Sequence, residues 1–156
     1  MCPDWGSCFE RLDEMIARSA RVRVFPGRAA SPELVENAEK ELGLALPVSY
    51  KAWLGEFGNL FVGPDPVFGL ADAESRDVAD DDLVYNARLV EGNGFPPEGL
   101  IPIFVPDSDE AFYFDSREGL KGGEYPVLRY DYNSGEFEFS SPSFFDFLMD
   151  LVRHSG

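Results

Sequence analysis

The apolar positions of the chain change period partway along. Up to about residue 58 they recur every three or four residues; from residue 59 onward they mostly come in short runs. Phe9, Leu12, Ile16 and Ala20 keep helical spacing over about residues 7–20, and Ser7 can cap that helix. Pro26-Gly27 interrupts the chain. A second helix follows, with Ser31 as N-cap, Pro32 in the first turn, Leu34, Val35, Ala38 and Leu42 on its apolar face, and Gly43 as its left-handed stop. A third helix is predicted from about Pro47 to Phe57, with Tyr50, Trp53, Leu54 and Phe57 on one stripe. So short a connection predicts that the second and third helices pack as a helical hairpin.

After Asn59 the pattern becomes that of strands. Leu60-Phe61-Val62 and Val67-Phe68-Gly69 flank a Gly63-Pro64 turn. A helix is expected from about Asp82 to Glu91. Four strands are then predicted over Leu100–Val105, Ala111–Asp115, Tyr125–Tyr130 and Glu136–Ser140, with Asp131–Gly135 as a hairpin connection. A last helix is expected behind Ser141 and Pro142. It buries Phe144, Phe145, Leu148, Leu151 and Val152, and leaves Phe147 or a neighbouring phenylalanine more exposed. Short turns between strands exclude a doubly wound parallel sheet. The fold class is therefore α+β: a central, mainly antiparallel sheet with helices packed on it.

Composition refines this picture. At 156 residues, with fourteen Phe, six Tyr and two Trp, residues 1–156 are expected to form a single domain around one core, with no internal repeat. No apolar run approaches the roughly 20 residues of a membrane helix, and no signal peptide is visible. Cys2 and Cys8 are too few for a secreted disulfide framework, so free thiols and a cytoplasmic location are expected.

The net charge is −16, and it is uneven. Residues 1–70 hold 10 acidic and 7 basic side chains, whereas residues 71–156 hold 19 and 6. Such a surface repels phosphate backbones and favours a basic protein partner. The densest acidic stretches are 72–82 and 107–118. The residues expected to meet a partner are Asp77, Asp80, Asp81, Asp82, Asp107, Asp109, Glu110 and Asp115.

Catalytic signatures are missing from the sequence. It has no Walker loop, dinucleotide fingerprint, nucleophile elbow or zinc-type cluster. His154, the sole histidine, is expected to sit in a frayed terminus. Neither cysteine has an evident base. Asp107, Asp109, Glu110 and Asp115 keep open a carboxylate-dependent hydrolase. Asp131–Glu136 resembles the start of a calcium loop but lacks the closing Glu, and a hairpin turn accounts for it. No cofactor or metal is expected.

One segment carries a family pattern. Glu39 through Leu54, with Leu42-Gly43, Leu46-Pro47 and then Tyr50 and Trp53-Leu54, resembles the SUKH superfamily, which includes the fungal cell-wall assembly regulators of the Smi/Knr type. Gly58-Asn59 stands where the family often has Asn-Gly. Leu100–Phe104, Ala111–Asp115, Tyr125-Pro126-Val127 and Ser143–Leu148 continue the match in order, so the resemblance covers roughly residues 31–151, with residues 1–30 as an N-terminal helix and extension. It implies an α+β fold with a central sheet and transfers no catalytic residues. It also implies protein binding: many bacterial members are similar to immunity proteins that neutralise toxins, often basic nucleases, while the fungal members suggest a regulatory or scaffold module.

Overall fold

A computed structural model describes residues 4–71, 81–91, 94–106 and 108–155. Its elements are α1 (Trp5–Arg18), β1 (Val22–Arg23), α2 (Pro32–Leu42), α3 (Val48–Glu56), β2 (Phe61–Val62), β3 (Asp65–Pro66), α4 (Leu83–Val90), β4 (Leu100–Phe104), β5 (Glu110–Asp115), β6 (Val127–Asp131), β7 (Glu136–Ser141) and α5 (Phe144–Ser155). The α+β class is as the hydrophobic pattern predicts.

The main sheet is an antiparallel meander in the order β4-β5-β6-β7. Ile101 pairs with Phe114, Tyr113 with Leu128, and Tyr130 with Phe137. Pro102, which has no N–H to donate, sits at an irregularity in the β4–β5 register, where a missing ladder bond is tolerated. Along the other side of β4 runs the segment Val67–Gly69: Val67 bridges Phe104, and the Phe68 amide donates to the Ile103 carbonyl at 2.8 Å. This segment was expected to be a strand of a hairpin with Leu60–Val62. Instead, the small sheet β1-β2-β3 closes earlier, with β3 at Asp65–Pro66, and recruits β1 from the basic stretch after α1.

The helices cover one face of the main sheet. Ile101, Ile103, Phe112, Phe114 and Val127 point into the principal core with Tyr50, Trp53, Leu54, Phe144 and Leu148. Tyr50 and Trp53 have no exposed surface, as their helical spacing predicts. The Tyr50 ring meets Phe144 edge-on at 4.9 Å and Phe114 at 5.4 Å, and its hydroxyl donates to the Phe68 carbonyl at 2.6 Å. Phe144, Phe145 and Phe147 are all buried, which corrects the expected exposure of one of them. The reason is that α5 lies between α1 and the sheet: Phe145 meets Trp5 and Phe9, whereas Phe147 meets Phe104 and Phe112. The expected α2–α3 hairpin does not form as such, because α3 packs chiefly on α5 and α2 on α4.

Caps set the helix ends. Ser31 caps α2 and Gly43, at φ 74°, ends it, both as predicted. Asp4 rather than Ser7 caps α1, accepting from the Gly6 amide and the Ser7 hydroxyl. Ser143 rather than Ser141 caps α5: its hydroxyl accepts from the Asp146 amide and donates to the Asp146 carboxylate. Ser141 instead ends β7, with its hydroxyl buried.

The start of α3 has no cap of its own. Glu124, 75 residues away, supplies one. Its carboxylate accepts from the Ser49 amide at 2.9 Å and from the Ser49 hydroxyl at 2.6 Å, while the Val48 amide donates to the Gly123 carbonyl. The same Ser49 hydroxyl accepts from the Phe145 amide at the start of α5. One carboxylate thus serves the positive ends of two helices.

Gly58 and Asn59 also hold distant chain together. Gly58, at φ 72°, lies so close to Arg28 that a Cβ would sit 1.9 Å from the Arg28 carbonyl oxygen. The buried Asn59 amide takes both backbone polar groups of Phe25.

Cys8 is disulfide-bonded, so the expectation of free thiols does not hold for it. Cys2, the other cysteine of the chain, lies outside the described residues. Cysteine number carries no information on the proximity that decides whether a disulfide forms. Among the described residues no helix is long and apolar enough to cross a membrane.

Glu124→Ala is expected to lower stability by about 2–3 kcal/mol in urea unfolding, because two hydrogen bonds to a charged group at the start of α3 are lost and the Ser49 hydroxyl that also serves α5 loses its acceptor. Glu124→Gln should fall between it and the parent chain. An unchanged midpoint for Glu124→Ala would show that Ser49 caps α3 unaided.

Candidate protein-binding surface

Of the eight acidic residues expected to meet a partner, Asp77, Asp80 and Asp107 lie outside the described residues. The structure separates the other five into different roles.

Asp82 has no exposed surface. Its carboxylate caps α4 by accepting from the Tyr85 amide and also accepts from the Ala71 amide, both at 2.8 Å. The backbone on either side of it clasps Gly69: the Gly69 amide donates to the Asp81 carbonyl, and the Leu83 amide donates to the Gly69 carbonyl. With its oxygens turned inward, Asp82 holds the chain together and has no surface to present to a partner. Asp81 is partly exposed, 3.9 Å from Arg28.

Asp115 ends β5 and is tied to Arg117 by two hydrogen bonds, at 2.9 and 3.0 Å. The Arg117 side chain holds the Asp115 carboxyl below its ordinary pKa despite partial burial, and the same pairing raises the Arg117 pKa. Its charge is therefore largely answered within the chain.

Asp109 and Glu110 sit at the opposite end of β5. Here β6 and β7 bring in carboxylates that the local sequence stretches did not group with them. Arg129 is hydrogen-bonded to Glu110 and, at 2.6 Å, to Glu138, with Asp131 3.9 Å away. The Arg129 pKa is raised, first by Glu110 and then by Glu138. Register explains the cluster: Phe112 faces Arg129, Arg129 faces Glu138, and Glu110 faces Asp131. Asp109 accepts from the Asn133 side chain at 3.2 Å, and its carbonyl accepts from the Tyr132 amide. Asp109, Glu110, Asp131, Glu136 and Glu138 thus share the end of three strands with Arg129. The alternation Glu136-Phe137-Glu138-Phe139 held the signal for part of this group, but only strand pairing shows which residues it joins.

The six residues of β5 separate Asp115 from Glu110 by about 17 Å at ~3.4 Å per residue. Paired carboxylates in glycoside hydrolysis stand roughly 5–10 Å apart. The His154 imidazole lies in the last turn of α5, its Nδ1 2.8 Å from the Asp150 carbonyl, so the expected frayed end is instead helical. Among the described residues no group of His, Cys, Asp and Glu forms a cluster that could hold a metal ion.

The opposite face of the sheet carries a second, smaller apolar cluster: Leu100, Ala111 and Tyr113, with Leu128, Tyr130 and Phe137 packed on it. Phe95 closes over one corner, 4.8 Å from Tyr130 and 5.8 Å from Phe137. Burial and the neighbouring Tyr132 push the Tyr113 hydroxyl pKa well up. Phe139 and Tyr132 remain 64% and 50% exposed.

Asp82→Ala is expected to cost roughly 2–4 kcal/mol, the loss of a cap together with an unsatisfied Ala71 amide, read as a lower urea midpoint. Asp115 gives a pH dependence. Its folded-state pKa is depressed, so its stabilisation is complete above the ordinary carboxylate range and is lost as pH falls through the depressed value. Asp115→Asn should flatten the acid limb of the melting temperature against pH; an unaltered acid limb would show that the Arg117 pair contributes nothing.

The family model SUKH_5, described as SMI1-KNR4 cell-wall, matches residues 10–153. The match begins ahead of the Glu39–Leu54 pattern and takes in most of α1, whose Phe9 and Leu12 are part of the principal core. A comparison with curated proteins gave no match. On a match of this extent, together with the α+β architecture, the chain belongs to the SMI1-KNR4 family of the SUKH group.

Proposed function

We propose that the chain is a protein-binding immunity protein that neutralises a cognate toxin of a polymorphic or contact-dependent system, a basic nuclease being the toxin class that suits its charge best. It acts in the cytoplasm as a single domain, by occlusion rather than by catalysis. The family membership supports this reading, since the family includes immunity proteins. The observation that carries it is the carboxylate excess at the end of β5, β6 and β7, where Glu110, Asp131 and Glu138 lie around one Arg129 and Asp109 and Glu136 lie at the same strand ends. Such a surface attracts a cationic nucleic-acid-binding site, speeds encounter with it, and takes the place of phosphate against it.

The partner-facing residues are Asp109 and Glu110, together with Asp81 and, from the remaining acidic stretches, Asp77, Asp80 and Asp107. Asp82 is left out because it is buried, and Asp115 contributes little because Arg117 answers its charge. The family description, with its reference to the cell wall, favours a second reading, a regulatory or scaffold module. A carboxylate-dependent hydrolase finds no support in the wide separation of Asp115 from Glu110.

Affinity capture from the native host, with mass spectrometry of what is retained, is expected to yield a basic toxin domain whose activity the chain inhibits. Retention of cell-wall or signalling proteins without inhibition of any toxin would favour the regulatory module. With that partner in hand, Asp80→Lys, Asp81→Lys and Asp109→Lys combined should slow association about tenfold at low salt, and less at high salt. Equal on-rates at low salt would remove these acids from the interface.

A further inference from the structure

We infer that β7 is a docking edge, which takes an extended segment of a partner protein in which basic residues alternate with apolar ones. The inference rests on the protein-binding reading and locates the contact more narrowly.

Strand β7 ends the order β4-β5-β6-β7, and among the described residues no strand pairs with its outer side. Its two faces differ sharply. Phe137 and Phe139 belong to the face turned away from the helices, while Glu136 and Glu138 alternate with them and project to the other face. Phe137 has an aromatic floor, 4.7 Å from Tyr130 and 5.7 Å from Tyr113. Phe139, 64% exposed, carries that floor out to the strand edge. On the acidic face Arg129 already bonds Glu110 and Glu138, so one guanidinium is shared among carboxylates and the local charge stays negative.

A segment added to this edge would place every second side chain against the phenylalanines and the intervening ones against the glutamates. Lys or Arg therefore suits the acidic register and an apolar side chain the aromatic one. A second copy of the chain suits neither. Two antiparallel registers overlap equally well and keep the phenylalanines on one face. One sets Glu138 directly against Glu138, and the other sets Glu138 against Ser140 with the copy's Glu138 as its diagonal neighbour, so both bring like charges together with no cation from the copy between them. Edge glutamates of this kind guard against self-pairing, and they also select a basic strand. The acidic surface around β5 steers a cationic partner to the neighbourhood, and the β7 edge gives it a register.

The test uses the whole chain and two synthetic peptides of equal composition: one alternating Lys with Val, the other with its Lys and Val residues in separate blocks. Backbone amide shifts followed by NMR should change at residues 136–141 with the alternating peptide. That peptide should bind about fivefold more tightly than the blocked one, since only it meets both registers. Phe139→Ser and Glu136→Lys, both at exposed positions, should each weaken it severalfold while the melting temperature holds. Equal affinity for the two peptides, shifts confined to residues outside β7, or no shifts with about 1 mM peptide would overturn the docking edge. The functional reading is tested separately with the captured partner. A toxin bound equally by the parent chain and both variants would overturn the β7 edge and leave the immunity reading standing. Peptide docking on β7 with no toxin inhibited would support the edge and count against the immunity reading.

Discussion

The carboxylate of Glu124 is the point on which the arrangement of helices against the sheet depends. Helix α3 begins at a proline and has no side chain of its own to satisfy its first amides, yet it carries Tyr50 and Trp53, two fully buried side chains. Glu124, in the loop before β6, accepts from both the amide and the hydroxyl of Ser49, and that hydroxyl in turn accepts from the start of α5. The loop between β5 and β6 is thereby joined to the two helices that fill the middle of the core. The Tyr50 hydroxyl continues the linkage to Phe68, which runs beside β4. Polar groups at the ends of elements thus orient the apolar surfaces that supply most of the stabilisation.

A similar division of labour separates the acidic residues. Asp82 and Glu124 are spent on backbone amides, Asp115 on Arg117, and Glu39 on the Leu46 amide and Lys51. Acids that look equivalent in the sequence are therefore unequal on the surface. In the acidic second half, Asp109, Glu110, Asp131, Glu136 and Glu138 collect where β5, β6 and β7 end, beside an aromatic sheet face that the helices do not cover. A charged rim next to exposed aromatic surface suits protein recognition, because charge governs encounter and buried aromatic contact governs residence.

Much of the fold was legible from local pattern. The spacing of Leu34, Val35, Ala38 and Leu42 with Ser31 and Gly43 at either end placed α2, and the alternation through Leu100–Ser140 placed the four strands of the meander to within a residue or two. Local signals failed where two were in competition or where the partner was distant. Ser7 and Ser141 are sound caps by type, but Asp4 and Ser143 took those roles because the buried faces of α1 and α5 begin at Trp5 and Phe144. Strand β1, two residues within a basic stretch, had no periodicity to show.

The sequence by itself determined the α+β class, the helical burial of Tyr50 and Trp53, the acidic bias of the second half and the family pattern around Leu42–Leu54. These follow from residue type and from spacing over a few positions. Tertiary structure alone decided which acids remain available, that Val67–Gly69 runs along β4, that α3 takes its cap from Glu124, and that Glu110, Asp131 and Glu138 meet around Arg129. Each of these depends on strand register or on contacts between residues far apart in the chain, and a one-residue change in register would turn every side chain of a strand to the opposite face.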